Sequence, residues 1–153
     1  DSRDPCGSDP EGDAGGGGFL RWYTPSMTQN DLVQFWSDGS DEAWKTVQAL
    51  MESKRYLHAL FFCHLALEKL LKAKYAEKRD APPPPIHNLV TIAQKAELPL
   101  SVLEKEQLAK IAKFNIEGRY GDGTLTLHKE TTAEVAQEWV GIVQALLSSI
   151  RSR

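Results

Sequence analysis

The stretch His64–Ala73, which reads HLALEKLLKA, is the part of the chain that decides the predicted fold. It lies inside a longer helical pattern that covers about Tyr56–Lys78. On a helical wheel with 100° per residue, seven apolar side chains of this pattern share one wide arc. They are Leu60, Cys63, Ala66, Leu67, Leu70, Leu71 and Ala73. The pattern predicts a long helix whose wide apolar arc faces the core of a helical bundle.

Three further apolar residues of this helix, Phe61, Phe62 and Leu65, fall outside the core arc. A helix that is apolar on more than one side is buried on more than one side. We therefore expect a homodimer through this helix, because a second copy of the chain would cover the second apolar face. The alternative is that short helices of the same chain provide the cover.

His64, Glu68 and Lys72 recur every four residues and form a polar stripe between the apolar arcs. Side chains at i and i+4 can pair along a helix, which stabilises it by a few tenths of a kcal/mol. A functional interpretation places Glu68 and Lys72 at the border of a groove, in contact with a ligand or partner. In a third interpretation Glu68 bonds a loop, for example around Arg119, and holds it against the bundle.

The remaining elements are predicted from helix caps and apolar spacing. Ser40 is a good N-cap with acids after it, and Ser101 with Glu104 and Thr131 with Glu134 have capping-box spacing. Besides the long helix, four helices are predicted: one begins at Ser40, and the others cover about Asn88–Ala96, Ser101–Glu117 and Thr132–Ile150. Thr28–Asp31 open a further helical pattern. Pro82–Pro85 form an extended connector. The predicted fold is all-α, an antiparallel four-helix bundle with an additional short helix.

Residues 1–26 are predicted to be a disordered leader, and residues 27–153 a single helical domain that starts at Met27. The leader is rich in Gly, Asp and Pro and offers little apolar surface for burial. The cluster Phe19–Tyr23 is the alternative, since it could dock onto the domain.

The leader holds five acids and two bases of the chain's 21 acids and 18 bases, so residues 27–153 hold 16 of each. This neutral domain lacks the broad basic face of a general nucleic-acid binder, and any RNA contact would be local.

The two cysteines do not form a disulfide framework. Cys6 lies in the leader and Cys63 in the most apolar helix, where a free thiol acts as a small hydrophobic side chain. The chain shows no signal-peptide pattern and no run of 18 apolar residues. We expect a cytoplasmic protein without membrane contact.

Three motifs, taken in order, resemble those of one family. They are the helix with Glu68-Lys69 and Leu71-Lys72-Ala73, the segment Ile86-His87-Asn88-Leu89, and Asn115-Ile116-Glu117-Gly118-Arg119-Tyr120-Gly121. The chain resembles the HEPN family (higher eukaryotes and prokaryotes nucleotide-binding domain) over about residues 38–151. The resemblance implies a helical bundle that binds a nucleotide, or that partners a minimal nucleotidyltransferase in a toxin–antitoxin-type system.

The nuclease members of that family share an Arg, four to six residues, and then a His. Here Arg119 and His128 have eight residues between them, and Tyr120 stands where a small polar residue is expected. We therefore expect a binding module rather than an enzyme. The alternative is a metal-independent ribonuclease toxin that uses Arg119 and His128. No motif for a zinc site, a phosphate-binding loop or another cofactor occurs, so neither metal nor cofactor is predicted.

Six residues are predicted to contact the nucleotide or partner: Glu68, Lys69, Lys72, His87, Arg119 and Tyr120. Lys69, Lys72 and Arg119 would face phosphate, and Tyr120 would stack on a base. His87 precedes a helix, where it would cap or pack, or act as a general base or nucleotide contact. A non-catalytic dimeric adaptor without a small ligand is the remaining alternative.

Overall fold

The computed structural model describes residues 27–120 and 131–153, and for residues 116–120 the description is limited to the backbone. These two segments contain five helices and no strand. The helices are α1 (Gln29–Glu52), α2 (Tyr56–Arg79), α3 (Leu89–Lys95), α4 (Val102–Tyr120) and α5 (Ala133–Arg151). Four long helices and one short helix confirm the predicted all-α architecture.

Helix α2 is the centre of the bundle and packs against each of the other four helices. All seven residues of the predicted core arc are buried. Helices α1 and α2 run antiparallel, because the side-chain amide of Gln29, at the start of α1, donates to the carbonyl oxygens of Ala76 (3.2 Å) and Glu77 (2.8 Å), near the end of α2. The core thus forms around the long helix that the sequence singled out.

Helix α5 ends beside the C-terminal half of α2 and the start of α4. Lys74 donates to the carbonyl oxygen of Arg151 at 3.3 Å. The guanidinium of Arg153 donates to the carbonyl oxygen of Pro99 (2.7 Å) and to Glu104 Oε2 (2.6 Å). Helices α1 and α4 therefore run opposite to α2 and α5, as in an up-and-down bundle.

The helical pattern predicted to open at Thr28–Asp31 is confirmed, but the separate helix start predicted at Ser40 was wrong. Helix α1 begins eleven residues earlier at Gln29. Its N-cap is Thr28, which forms a capping box with Asp31. Ser40 is buried in the middle of α1, where its hydroxyl donates to the carbonyl oxygen of Ala66 in α2 at 2.8 Å. A serine can sit inside a helix when its hydroxyl has such a partner. The cap of α5 is likewise Thr132 rather than Thr131, since the Thr132 hydroxyl accepts from the backbone of Val135.

The second apolar face of α2 is covered in part by the chain itself. Phe62 and Leu65 are half-buried and pack against the core, and Phe61 meets Phe62 edge to face with ring centroids 5.4 Å apart. Dimerisation through this face stays a prediction. Cys63 is a free, buried cysteine, and burial raises the pKa of its thiol to about 12. Within the described segments, no helix is both long and apolar enough to cross a bilayer.

Candidate functional site

A buried polar cluster lies on α2, with Glu68 at its centre. Only 4% of the Glu68 residue is exposed. Its Oε1 atom lies 3.0 Å from Lys72 Nζ and 2.7 Å from His87 Nδ1. Its Oε2 atom lies 3.7 Å from Nδ1 of His64, which is also buried. The predicted stripe therefore faces inward, and the i,i+4 pairing of Glu68 with Lys72 is confirmed.

The charge of Glu68 depends on these partners. Burial alone would raise the pKa of its carboxyl group, but the hydrogen bond from His87 and the charge and hydrogen bond of Lys72 outweigh burial. The pKa of Glu68 is therefore lowered from its ordinary value. An ionised Glu68 accepts a hydrogen bond from His87, which places a proton on His87 Nδ1 and, in the neutral ring, leaves Nε2 as an acceptor.

His87 belongs to the connector between α2 and α3, which contains Pro82–Pro85. Its side chain is 52% exposed although Nδ1 meets a buried carboxylate. Asn88, not His87, caps α3, because the Asn88 side chain accepts from the backbone of Thr91. Glu68 therefore bonds a loop, and this loop is the α2–α3 connector, whereas the sequence interpretation named the segment around Arg119, whose side chains are not described.

The cluster extends to α1 through Trp36. Lys72 Nζ lies 5.2 Å from the centroid of the Trp36 ring, which is a cation–π distance. Lys72 is 4% exposed, so its ammonium group is enclosed between the Glu68 carboxylate and the indole. Three separate elements, α1, α2 and the connector, thus meet at one buried ion pair.

The same indole forms a wall of a cleft of about 370 Å³ between α1 and α2. Phe35 is 49% exposed and meets Trp36 edge to face, with ring centroids 5.3 Å apart. Gly39 leaves room for the neighbouring lysine, because a Cβ atom at this position would lie 3.0 Å from Lys69 Cδ. The cleft is lined by Phe35, Trp36, Asp38, Gly39, Glu42 and Lys69.

The six predicted contact residues do not lie together at one site in the structure. Glu68, Lys72 and His87 come together in the buried cluster, whereas Lys69 lines the cleft together with Trp36. Arg119 and Tyr120 occupy the last turn of α4, where only the backbone is described. His128 lies outside the described residues, as does the leader 1–26.

The residues on the α1 side of the cleft were not among the predicted site residues. The sequence does contain a pattern that places them together, because Phe35, Asp38 and Glu42 have the i, i+3, i+7 spacing of one helix face. The wrong N-cap at Ser40 divided α1 into two patterns, which separated Phe35 and Asp38 from Glu42 and hid this spacing. Among the described residues, no three His, Cys, Asp or Glu side chains are arranged to hold a metal ion.

A comparison with known protein families matches residues 33–153 to the HEPN domain. The match covers most of the chain, from the first turns of α1 to the end of α5, so the protein belongs to the HEPN domain family. Comparisons with curated proteins and with solved structures gave no significant match.

Proposed function

We propose that this HEPN domain is a non-catalytic module that binds a nucleotide in the cleft between α1 and α2. The observation that carries the proposal is the exposed aromatic wall beside a lysine in this cleft. Its volume of about 370 Å³ lies within the range of about 300–1,000 Å³ that is common for small-molecule sites.

The aromatic wall provides a surface for a base. Phe35 is one of four large apolar side chains of the described residues that stand exposed, and it adjoins Trp36. Stacking of a base on an aromatic side chain contributes about 1–3 kcal/mol, and every base has a face that can stack. An exposed aromatic pair inside a cleft therefore favours a planar ligand.

Lys69 supplies the charge for a phosphate group. Its stem passes over Gly39, so its ammonium lies on the same cleft as the aromatic wall. Lys72 is assigned a supporting role, because its ammonium is buried against Glu68 and the Trp36 ring. By holding Trp36, the buried ion pair keeps the aromatic wall in place.

Titration calorimetry of the full chain with AMP, GMP and ATP tests the proposal. We expect binding at millimolar concentration or better for at least one mononucleotide. Phe35→Ala should weaken it by at least about fivefold, since the stacking term is about 1 kcal/mol or more. The exposed Val102→Ala on α4 is the matched control, because Val102 is also a large exposed apolar residue away from the cleft. If the native chain binds no nucleotide at millimolar concentration, the proposal is wrong.

Partner binding is the second candidate function, and a groove of about 530 Å³ between α4 and α5 favours it. Gly141 and Ala145 line this groove, and small side chains let another helix approach closely. The partner would be a minimal nucleotidyltransferase in a toxin–antitoxin-type pair, as the family resemblance implies, or a second copy of the chain.

Light scattering of the native chain and of Gly141→Glu tests partner binding by a second copy. A Cβ atom at Gly141 meets no atom within 4 Å, so the substitution should leave the monomer folded. A dimer that dissociates in Gly141→Glu places the interface at this groove. A dimer that persists in Gly141→Glu but dissociates in Phe61→Glu places it on α2, as the sequence predicted. A native chain that is monomeric at every concentration rules out both homodimers.

A further inference from the structure

We infer that the cleft between α1 and α2 selects guanine, in the form of a nucleoside or nucleoside monophosphate, with the carboxylate of Asp38 as the group that recognises the base. This inference rests on the proposed nucleotide site and adds its ligand class.

The charged side chains that line the cleft are two carboxylates and one ammonium group, those of Asp38, Glu42 and Lys69. An ionised carboxylate only accepts hydrogen bonds, and its two oxygens can accept two of them side by side. A base that presents two adjacent N–H donors is therefore the complementary ligand.

Among the four common bases, guanine alone has two adjacent donors, N1–H and the N2 amino group, on its Watson–Crick edge. Adenine and cytosine present one amino group next to a ring nitrogen that accepts. Uracil presents one N–H between two carbonyl oxygens. A carboxylate that meets the edge of any of these three bases places an oxygen against an acceptor lone pair, which is repulsive.

Asp38 is better placed for this contact than Glu42. The side-chain amide of Gln34, one turn earlier, donates to Asp38 Oδ1 at 2.6 Å and so fixes the carboxylate. Each carboxylate oxygen has two acceptor positions, and the bond from Gln34 uses one of them, so contacts among residues 27–120 and 131–153 leave positions on both oxygens for a ligand. Glu42 also keeps acceptor positions beside its 3.0 Å contact with Lys45, but its side chain is 72% exposed, so water competes for them.

The charge balance of the cleft limits the number of phosphate groups. Two carboxylates and one lysine give a net charge of −1 on the lining side chains. A monophosphate can reach Lys69, whereas the added negative charge of a triphosphate is repelled by the two carboxylates. GTP should therefore bind more weakly than GMP.

The test is titration calorimetry of the full chain with GMP, IMP, AMP and GTP. We expect GMP to bind at least about fivefold more tightly than AMP, because a bidentate pair contributes at least about 1 kcal/mol of discrimination. The affinity for IMP, which keeps N1–H but lacks the N2 amino group, should lie between the affinities for GMP and AMP. Asp38→Asn should remove the preference for GMP over AMP, since the amide presents a donor where the carboxylate presents an acceptor. Asp41→Asn, an exposed acid on the same helix outside the cleft, is the control.

Each other result contradicts a stated part of this inference. If GMP and AMP bind equally well to the native chain, guanine selection is wrong while the nucleotide site stands. If the preference for GMP persists in Asp38→Asn, the assignment of Asp38 is wrong. If GTP binds more tightly than GMP, the argument from charge is wrong. If no nucleotide binds, the proposed function itself is wrong and this inference with it.

Discussion

Two kinds of ion pair hold this bundle together, and their burial rather than their distance decides how strongly stability depends on each. Glu68 and Lys72 are 3.0 Å apart with both side chains 6% exposed. Asp41 and Arg151 are closer, at 2.6 Å, with side chains 51% and 42% exposed. Water competes with the second pair and scarcely reaches the first. The longer contact is therefore the one on which stability depends more strongly, since removal of either partner leaves a buried charge.

The largest expected effect comes from Lys72→Met, which keeps the length of the side chain and removes its charge. Glu68 then remains buried with His87 as its nearest donor, and the Trp36 ring loses its cation. We expect the free energy of unfolding to fall by about 3–5 kcal/mol, as for other broken buried pairs. Urea unfolding followed by circular dichroism measures this change.

Lys69→Met is the matched control, because Lys69 is on the same helix but only partly buried. It should change the free energy of unfolding by less than about 0.5 kcal/mol. Equal losses in the two variants would show that the buried charge does not distinguish the two regions, and the comparison would fail.

The next largest effect is expected in the free energy of unfolding at acidic pH. The pKa of Glu68 is lowered in the folded state, so ionised Glu68 contributes stability above its ordinary pKa of 4.5. That contribution is lost as the pH falls from 4.5 through the folded-state pKa. In Glu68→Gln the contribution is absent and Lys72 is left buried without its counter-ion. We expect the free energy of unfolding of this variant to be lower than that of the native chain by a few kcal/mol at pH 7. The difference between the two free energies of unfolding should narrow below pH 4.5.

Urea unfolding of both proteins between pH 7 and pH 2.5 measures this difference. The pKa values of Asp31 and Glu104 are also lowered, by their helix caps first, but both residues are present in both proteins and cancel in the comparison. A difference that stays constant across this range would mean that Glu68 is not the titrating group.

A smaller effect is expected from His87→Ala, which removes the contact between the connector and the buried pair. Hydrogen bonds to charged groups contribute about 1.5–3 kcal/mol, and the half-exposed position lets water replace part of this one. We expect a loss of about 1–2 kcal/mol and faster hydrogen exchange in α3, which follows the connector.

Gln94→Ala, at an exposed position of α3, is the control for His87→Ala and should leave exchange unchanged. If His87→Ala leaves both stability and exchange as they are, the connector is held by the packing of its prolines and Ile86. Glu68 would then be satisfied by Lys72 without help from another element.

The central helix was predictable from sequence because its apolar spacing is local information. The wide arc of α2 needs only the period of a helix to be recognised, and all of its residues are buried as expected. The continuity of α1 through Ser40 was not predictable in the same way. Ser40 has the side chain of an N-cap, and only the carbonyl of Ala66 in another helix explains why it lies inside α1. A tertiary contact overrode the local preference there.

The candidate site shows the same limit. Glu68 and Lys72 are four residues apart, so their pairing follows from helix geometry. His87 is nineteen residues from Glu68, beyond the end of α2 and the proline connector, and no sequence spacing brings their side chains together. Trp36 reaches Lys72 only because α1 and α2 are antiparallel. The local pair was therefore predictable, while the two contacts that make it a cluster depend on the fold.

The smallest expected effect tests the exposed side of the comparison. Arg151→Ala and Asp41→Ala, measured singly and together, form a double-mutant cycle across the contact between α5 and α1. Because water screens both side chains, their coupling energy should be about 0.2–1 kcal/mol despite the 2.6 Å distance. The coupling should also shrink when the cycle is repeated in about 1 M salt, where the Debye length is about 3 Å. Urea unfolding of the four proteins at both salt concentrations measures this coupling energy. A coupling energy above about 2 kcal/mol that does not change with salt would mean that exposure is the wrong criterion for separating the two ion pairs.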